Sequence, residues 1–496
     1  MTLSLKRLRR EAKEKLRAAR AERSDKLSKI RKLSDALHVV AQEAGFESWP
    51  KLKAVLEARA MDRDEKAARL EAALFHGQHW MVDALLAEEP ELSTANFGLE
   101  VALLNLDAVR RAIEFDRGVA TRMVGRRSPI LHLAFSKHWQ VGPDMSWQTT
   151  RIAELLLLAG ADVNDSFPES TDGDQMYSVL YGALGHAGNM PLARWLLEYG
   201  ANPNDGESLY HSTELGHHEG LDMLLAHGAV PKGTNALLRA MDFNDHIAVK
   251  KLLEAGADPN EGADSNGVAT KATALHQCAR RLNDAEMAEI ILKAGGNPDI
   301  RFADITAYAA ARVYGNRPVA SVIAAYGGST DMPPELSKLA RIADGEVLGQ
   351  GEWLDPAKLP DELRDMIRAI LHIPGTFDHI KRLVQSGAEW DRPDPMGITP
   401  VQIAGWEGLP DLVAYFLSLK PDLGHVNGYG GTLLSTIAHG AANARRRDAT
   451  DHVACAELAL KEGVSLPRAM LTDVQDEDMS AFLADWATRY PSQVTD

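Results

Sequence analysis

Along most of its 496 residues the chain alternates short apolar helical stretches with breaks set by glycine. In MAEIILKAG (287–295), Met287, Ile290, Ile291 and Ala294 fall at i, i+3, i+4 and i+7, which is one face of a helix. The phrase that closes such a stretch returns in altered form as ELLLLAGADVND (154–165), WLLEYGANPND (195–205), KKLLEAGADPNEG (250–262) and IILKAGGNPDI (290–300). Glycine there takes a left-handed backbone without a Cβ clash, and the Asp/Asn-rich tetrad after it turns the chain outward. These glycines stand at 160, 200, 228, 256, 295, 327, 387 and 463, a period a little above thirty with room for further units after 327. One such unit is YFLSLKPDLGHVN (415–427), with Lys420 and Pro421 near the glycine position.

Each unit opens with a first apolar helix, as in TALHQCARR (273–281), ITAYAAARVYG (305–315) and ITPVQIAGWEG (398–408). A break with Gly and His follows in LGHAG (184–188) and LGHHEG (215–220), and then the second helix. One such pair cannot bury its apolar faces alone, whereas stacked copies can.

These residues resemble the ankyrin repeat family. DPMGITPVQIAGWEG (394–408) matches its Asp-x-x-Gly-x-Thr-Pro opening, TALHQCA (273–279) keeps its Thr, Leu, His and small residues, and SPILHLA (128–134) is a looser copy. The resemblance spans about 127–468, with weaker units in 65–126 such as MVDALLAEEPELS (81–93). It implies an all-α, ankyrin-type α-solenoid of helix-turn-helix units with short hairpin or loop fingers and an N-terminal helical cap. The expected organisation is a basic helical segment and cap (1–62), a first repeat block (63–330), an irregular insertion (331–363), a second block (364–488) and a tail (489–496). The segment 34–56, which contains GFESWPKLK, resembles one that often precedes such repeats in bacterial proteins. Ser48 is expected to N-cap its second helix, and the segment to cover the apolar end of the stack.

Composition narrows the function classes. With 45% hydrophobic and 25% charged residues the chain suits a folded, soluble protein. Cys278 and Cys455 are too few for a disulfide framework and suit a reducing cytoplasm. No apolar run approaches the ~20 residues of a membrane span. Residues 1–32 hold 13 Lys+Arg against 4 Asp+Glu, which leaves 41 against 66 for the rest. A body that acidic repels nucleic-acid phosphates, and the basic arm reads first as a solvated helical face.

No catalytic motif emerges, and neither a cofactor nor a metal is expected. GEVLGQG (345–351) does not fit a dinucleotide fingerprint, and HVNGYGG (425–431) reads as a turn between units. The Asp and Asn residues at 162, 164, 202, 204, 258, 260, 297 and 299 keep constant spacing from the glycine, so turn formation accounts for them. His132, His276 and His217 match positions at which the resembled family uses histidine for structural hydrogen bonds. His211, His217 and His218 are poorly spaced for a shared metal.

Departures from the repeat are SKHWQVGPDMSWQTT (136–150), SFPESTDGDQMY (166–177), EGADSNGVATKA (261–272) and the long stretch 331–363, in which ELSKLARIAD reads as a helix. Trp139 and Trp147 in the first suit a binding hot spot. In the resembled family the finger tips and the outer ends of the first helices form the binding face. Carried over, this selects Arg280 and Arg281, Val313 and Tyr314, Trp406 and Glu407, with Pro395 and Met396 at a tip. The favoured reading is a non-catalytic scaffold that holds a protein partner along this concave face and the insertions. The alternatives are an enzyme or effector with a pocket near 136–150 or 331–363, and a membrane- or nucleic-acid-associated adaptor using the basic N-terminal arm.

Overall fold

A computed structural model describes residues 4–21, 30, 33–142, 145–169, 175–349, 351–444, 450–474 and 476–495. Parts of the basic arm, Pro143 in the first insertion and residues 170–174 of the second lie outside the described residues. The described chain is predominantly helical, and its strands, two or three residues each, form two two-stranded sheets and one three-stranded sheet in the fingers and near the C-terminus. No helix among the described residues is long and apolar enough to cross a membrane.

The chain divides into two units, residues 1–10 with 40–261 and residues 11–39 with 262–496. In the first, the helices Phe97–Ala102 and Pro129–Phe135 pack side by side as first helices. Leu106–Phe115, Met145–Leu158, Met190–Glu198 and Glu219–Ala226 stack behind them as second helices. Helix Trp49–Arg59 sends Val55 and Ala58 into the same apolar cluster as Leu70, Ala73, Met81 and Leu85, so the N-terminal segment does pack on the first repeat helices. Ser48 stands at its N-cap in extended backbone but makes no side-chain hydrogen bond there; Trp49 is buried. The 166–177 insertion is a finger whose strands Ser166–Pro168 and Met176–Ser178 pair antiparallel, Phe167 opposite Tyr177.

In the second unit, Ala274–Arg280, Ala307–Tyr314 and Pro334–Ala343 pack in sequence as first helices, and so do Pro400–Trp406 and Leu433–Asn443. Pro410–Ser418 and His452–Lys461 are second helices of the last pair. Beyond them, strand Val494–Thr495 pairs with Leu466–Pro467, and Gln493 Nε2 donates to the Leu460 and Val464 carbonyls at 2.7 Å each.

All eight stop glycines have positive φ, from 86° at Gly327 to 108° at Gly160. Lys420 does their job with φ 61° and a Cβ. Left-handed backbone costs an L-residue about 1–2 kcal/mol, of which glycine's extra unfolded-state freedom gives back about 0.5–1. Lys420→Gly is therefore expected to stabilise the second unit by about 0.5–1 kcal/mol, read as a rise in urea midpoint. Its ion pair to Glu462 is solvent-exposed and weighs little.

The turn residues tie unit to unit. Asn164 Nδ2 donates to the Gly200 carbonyl at 3.3 Å while its Oδ1 accepts from Asn202 N at 2.7 Å, and Asn204 repeats this with Gly228 and Val230. His276 is buried and its Nε2 donates to the Ile305 carbonyl at 2.9 Å, so its Nδ1 accepts from the Thr273 hydroxyl at 2.8 Å. His217, by contrast, is exposed; its neighbour His218 reaches Asp245 at 2.7 Å.

Burial holds the His186 and His379 imidazoles down at about 4. The unfolded chain takes up these protons near 6.5, before the native protein does, so protons favour unfolding in between. Stability is fully present above about pH 6.5 and is lost as pH falls toward 4. Urea midpoints across this window should decline, and less steeply in His379→Gln; a flat profile would contradict the assignment.

Candidate functional site

Two neighbouring fingers of the second unit are built alike. In DPMGITP, Asp394 Oδ1 accepts from Met396 N and Ile398 N at 2.9 and 2.8 Å, and Gly397 turns with φ 74°. In NGYGGTL, Asn427 Oδ1 accepts from Tyr429 N and Gly431 N at 3.1 and 2.9 Å, and Gly430 turns with φ 77°. The two tips are joined where Gly428 N donates to the Met396 carbonyl at 2.6 Å. Asn427–Thr432 is thus a further copy of Asp394–Thr399, and everything downstream aligns with it.

Three residues after each Thr comes the side chain that holds the next finger. His276 follows Thr273, and Gln402 follows Thr399; Gln402 Nε2 donates to the Gly431 carbonyl at 3.0 Å, the position that Ile305 fills for His276. Seven residues after each Thr come Arg280, Val313, Trp406 and His439, at the C-terminal ends of the first helices. Trp406 and His439 therefore meet as neighbours, ring centroids 5.0 Å apart at 42°. Gly440 allows this approach, because helix Leu433–Asn443 runs directly against the Trp406 backbone.

Between the second finger and these helix ends lies a cleft of about 690 Å³. Trp406 and His439 form one wall, Tyr429 stands at the rim with 74% exposure, and Ile398 and Ile403 supply apolar floor. Asn427, Ser435 and Thr436 provide the polar edge, and no carboxylate lines it among the described residues. Such a surface offers area, aromatic faces and a few hydrogen bonds to a partner.

Of the residues expected from the sequence, Met396 and Trp406 belong to this pair of fingers, and Glu407 is half-buried at the end of the same helix. Arg280 and Arg281 are exposed, with Arg280 Nε donating to Gln277 Oε1 at 2.6 Å. Tyr314 is half-buried, and its hydroxyl is pushed up to about 12 by burial, with Arg280 among the charges that act on it. In the first unit, Trp139 donates its indole N–H to the Ala187 carbonyl at 3.0 Å. Trp147 lies in the first turn of helix Met145–Leu158 with 60% exposure. Tyr429 and His439 were missed. The echo of Asp-x-x-Gly-x-Thr in Asn427-Gly-Tyr-Gly-Gly-Thr432, counted seven residues on from its Thr, would have found both.

Comparison with known proteins matches the ankyrin repeat family model at residues 270–302. Mouse protein phosphatase 1 regulatory subunit 27 is 30% identical over 106 residues, 21% of this chain and 69% of that protein. The chain belongs to the ankyrin repeat family. The human protein of the same name is also 30% identical, over 108 residues, 21% of this chain and 69% of that protein. The solved human ASB11 ankyrin repeat domain is similar at 22% identity with a TM-score of 0.36, covering 48% of this chain and 100% of that domain. The ankyrin match at 270–302 takes in Thr273, His276 and the Ile300 end of the unit, so the family's histidine is the one observed bonding to the next finger.

Proposed function

We propose that this ankyrin repeat protein is a non-catalytic scaffold that holds a polypeptide partner along its fingers and first-helix ends, with Trp406, Tyr429 and His439 as the anchor point. The observation that carries the reading is three rings, Trp406, Tyr429 and His439, from two adjacent repeats around one open cleft. Trp and Tyr are the residues on which binding energy concentrates, since they bury large area with few torsions to freeze. Similarity to a protein phosphatase 1 regulatory subunit favours a role in binding another protein over a reaction of its own. Within the second unit Arg280, Arg281, Tyr314, Met396 and Glu407 are further candidate contacts, Trp139 and Trp147 are separate ones in the first unit, and two buried thiols suit a reducing cytoplasm.

The test is quantitative affinity capture from the native cell with the full chain and its Trp406→Ala/Tyr429→Ala variant. Loss of a hot-spot aromatic costs about 2 kcal/mol or more, so true partners should fall at least tenfold in the variant. Recovery of the same proteins in the same amounts would reject this cleft as the binding face.

A further inference from the structure

We propose that a cavity in the first unit, beside Arg126 and Arg127, is a separate binding site for the anionic group of an aromatic acid. The cavity measures about 410 Å³ and lies between helix Arg63–His76, the finger carrying the two arginines and the paired strands Ser166–Pro168 and Met176–Ser178. Arg127 is the central feature. Its side chain is only 15% exposed, and its guanidinium lies over the rings of Phe75 and Phe167, at 5.0 and 5.7 Å. Stacking of this kind fixes the plane of the cation and leaves its edge for hydrogen bonding.

That edge is mostly unused. A guanidinium has five N–H donors, and among the described residues Arg127 spends one, on Glu71 at 2.9 Å. Arg126 likewise spends one, on the Pro168 carbonyl at 2.8 Å. The two carboxylates of the lining are both engaged, Glu71 by Arg127 and Glu169 by the Tyr177 hydroxyl at 2.8 Å. Among the described residues the lining sets two arginines against two carboxylates, and the guanidinium N–H groups outnumber the bonds that Glu71 and the Pro168 carbonyl take from them. Lys137 and Arg69 add positive charge nearby: burial first, and then these two with Arg127, hold His76 below its ordinary value. Around the donors the walls are aromatic, and they are rigid because Phe75, Phe135, Phe167, Tyr177 and Tyr181 form one chain of ring contacts. A carboxylate or phosphate monoester on an aromatic body meets both features: the anion takes the open N–H groups, and the ring takes the apolar wall.

Isothermal titration of the full chain with phenylacetate and with phenyl phosphate tests this, with phenol and inorganic phosphate as controls. The expected result is saturable one-to-one binding of at least one aromatic anion, tenfold or more tighter than either control, with the tighter of the two naming the anion. Arg127→Gln should weaken it at least tenfold. Because Arg127 also packs between two rings, Arg126→Gln is the deciding variant, with its fold checked by circular dichroism, and a tenfold loss is expected there too. Absence of saturable binding, phenol binding as tightly as the anions, or unchanged affinity in a folded Arg126→Gln protein would overturn the assignment.

Discussion

Gly440→Ala is expected to destabilise the second unit by about 1–3 kcal/mol, although the change puts a better helix former into the interior of a helix. Propensity alone favours alanine by about 1 kcal/mol, so the two effects have opposite signs and the packing must win. A Cβ at residue 440 would lie 2.3 Å from the Trp406 carbonyl oxygen and 2.8 Å from the Trp406 Cα. Both are backbone atoms, with no flexible end to swing aside. Helix Leu433–Asn443 would have to back away from Pro400–Trp406, and the Trp406 carbonyl that would be pushed also accepts from His452 Nε2 at 2.8 Å. The same displacement pulls His439 from Trp406, so the cleft should lose its wall along with stability. Urea unfolding gives the sign; an equal or higher midpoint in the alanine variant would show that the close approach is not maintained.

How far the fold could be read in advance depended on whether one residue's job was local. The stop glycines were legible because a left-handed helix end needs no partner, and Lys420 was legible because it occupied the same slot without the right chemistry. His276 could be read because its spacing to Thr273 repeats a family habit. Ser48 does take the N-cap position, which follows from sequence, but makes no side-chain hydrogen bond there, because that bond depends on a rotamer. His217 was misread for a similar reason: two adjacent histidines compete for one direction, and only packing decides that His218 faces Asp245. The cleft was half legible. Trp406 came from counting along the first helix, but Tyr429 and His439 sit in a copy whose opening Asp had become Asn and whose His had become Ser435. Nothing in the sequence announced the Arg127 stack, because Phe75, Arg127 and Phe167 come from three elements far apart in the chain.

Phe135→Ala should be the most damaging single substitution in the first unit, at about 3–5 kcal/mol. The ring is 1% exposed and touches four others: Phe75 stacked at 5.7 Å, Phe167 edge-on at 5.1 Å, Tyr181 at 6.0 Å and His186 at 5.2 Å. Its removal leaves a hole that these rings, fixed by one another, cannot close. The reciprocal change is Gly182→Ala, whose Cβ would fall 2.4 and 2.5 Å from two atoms of the Phe135 ring. Overpacking of that kind costs about 1–3 kcal/mol while Phe135 is present. In the double variant the new methyl group enters the space that the ring has vacated, so the clash disappears and part of the hole is filled. The double variant should therefore be less destabilised than the two singles summed, by about 1–3 kcal/mol. Urea unfolding of the four proteins measures this coupling directly. Strict additivity, within about 0.5 kcal/mol, would mean that Gly182 is not small for the sake of Phe135 and that the aromatic chain has room to move.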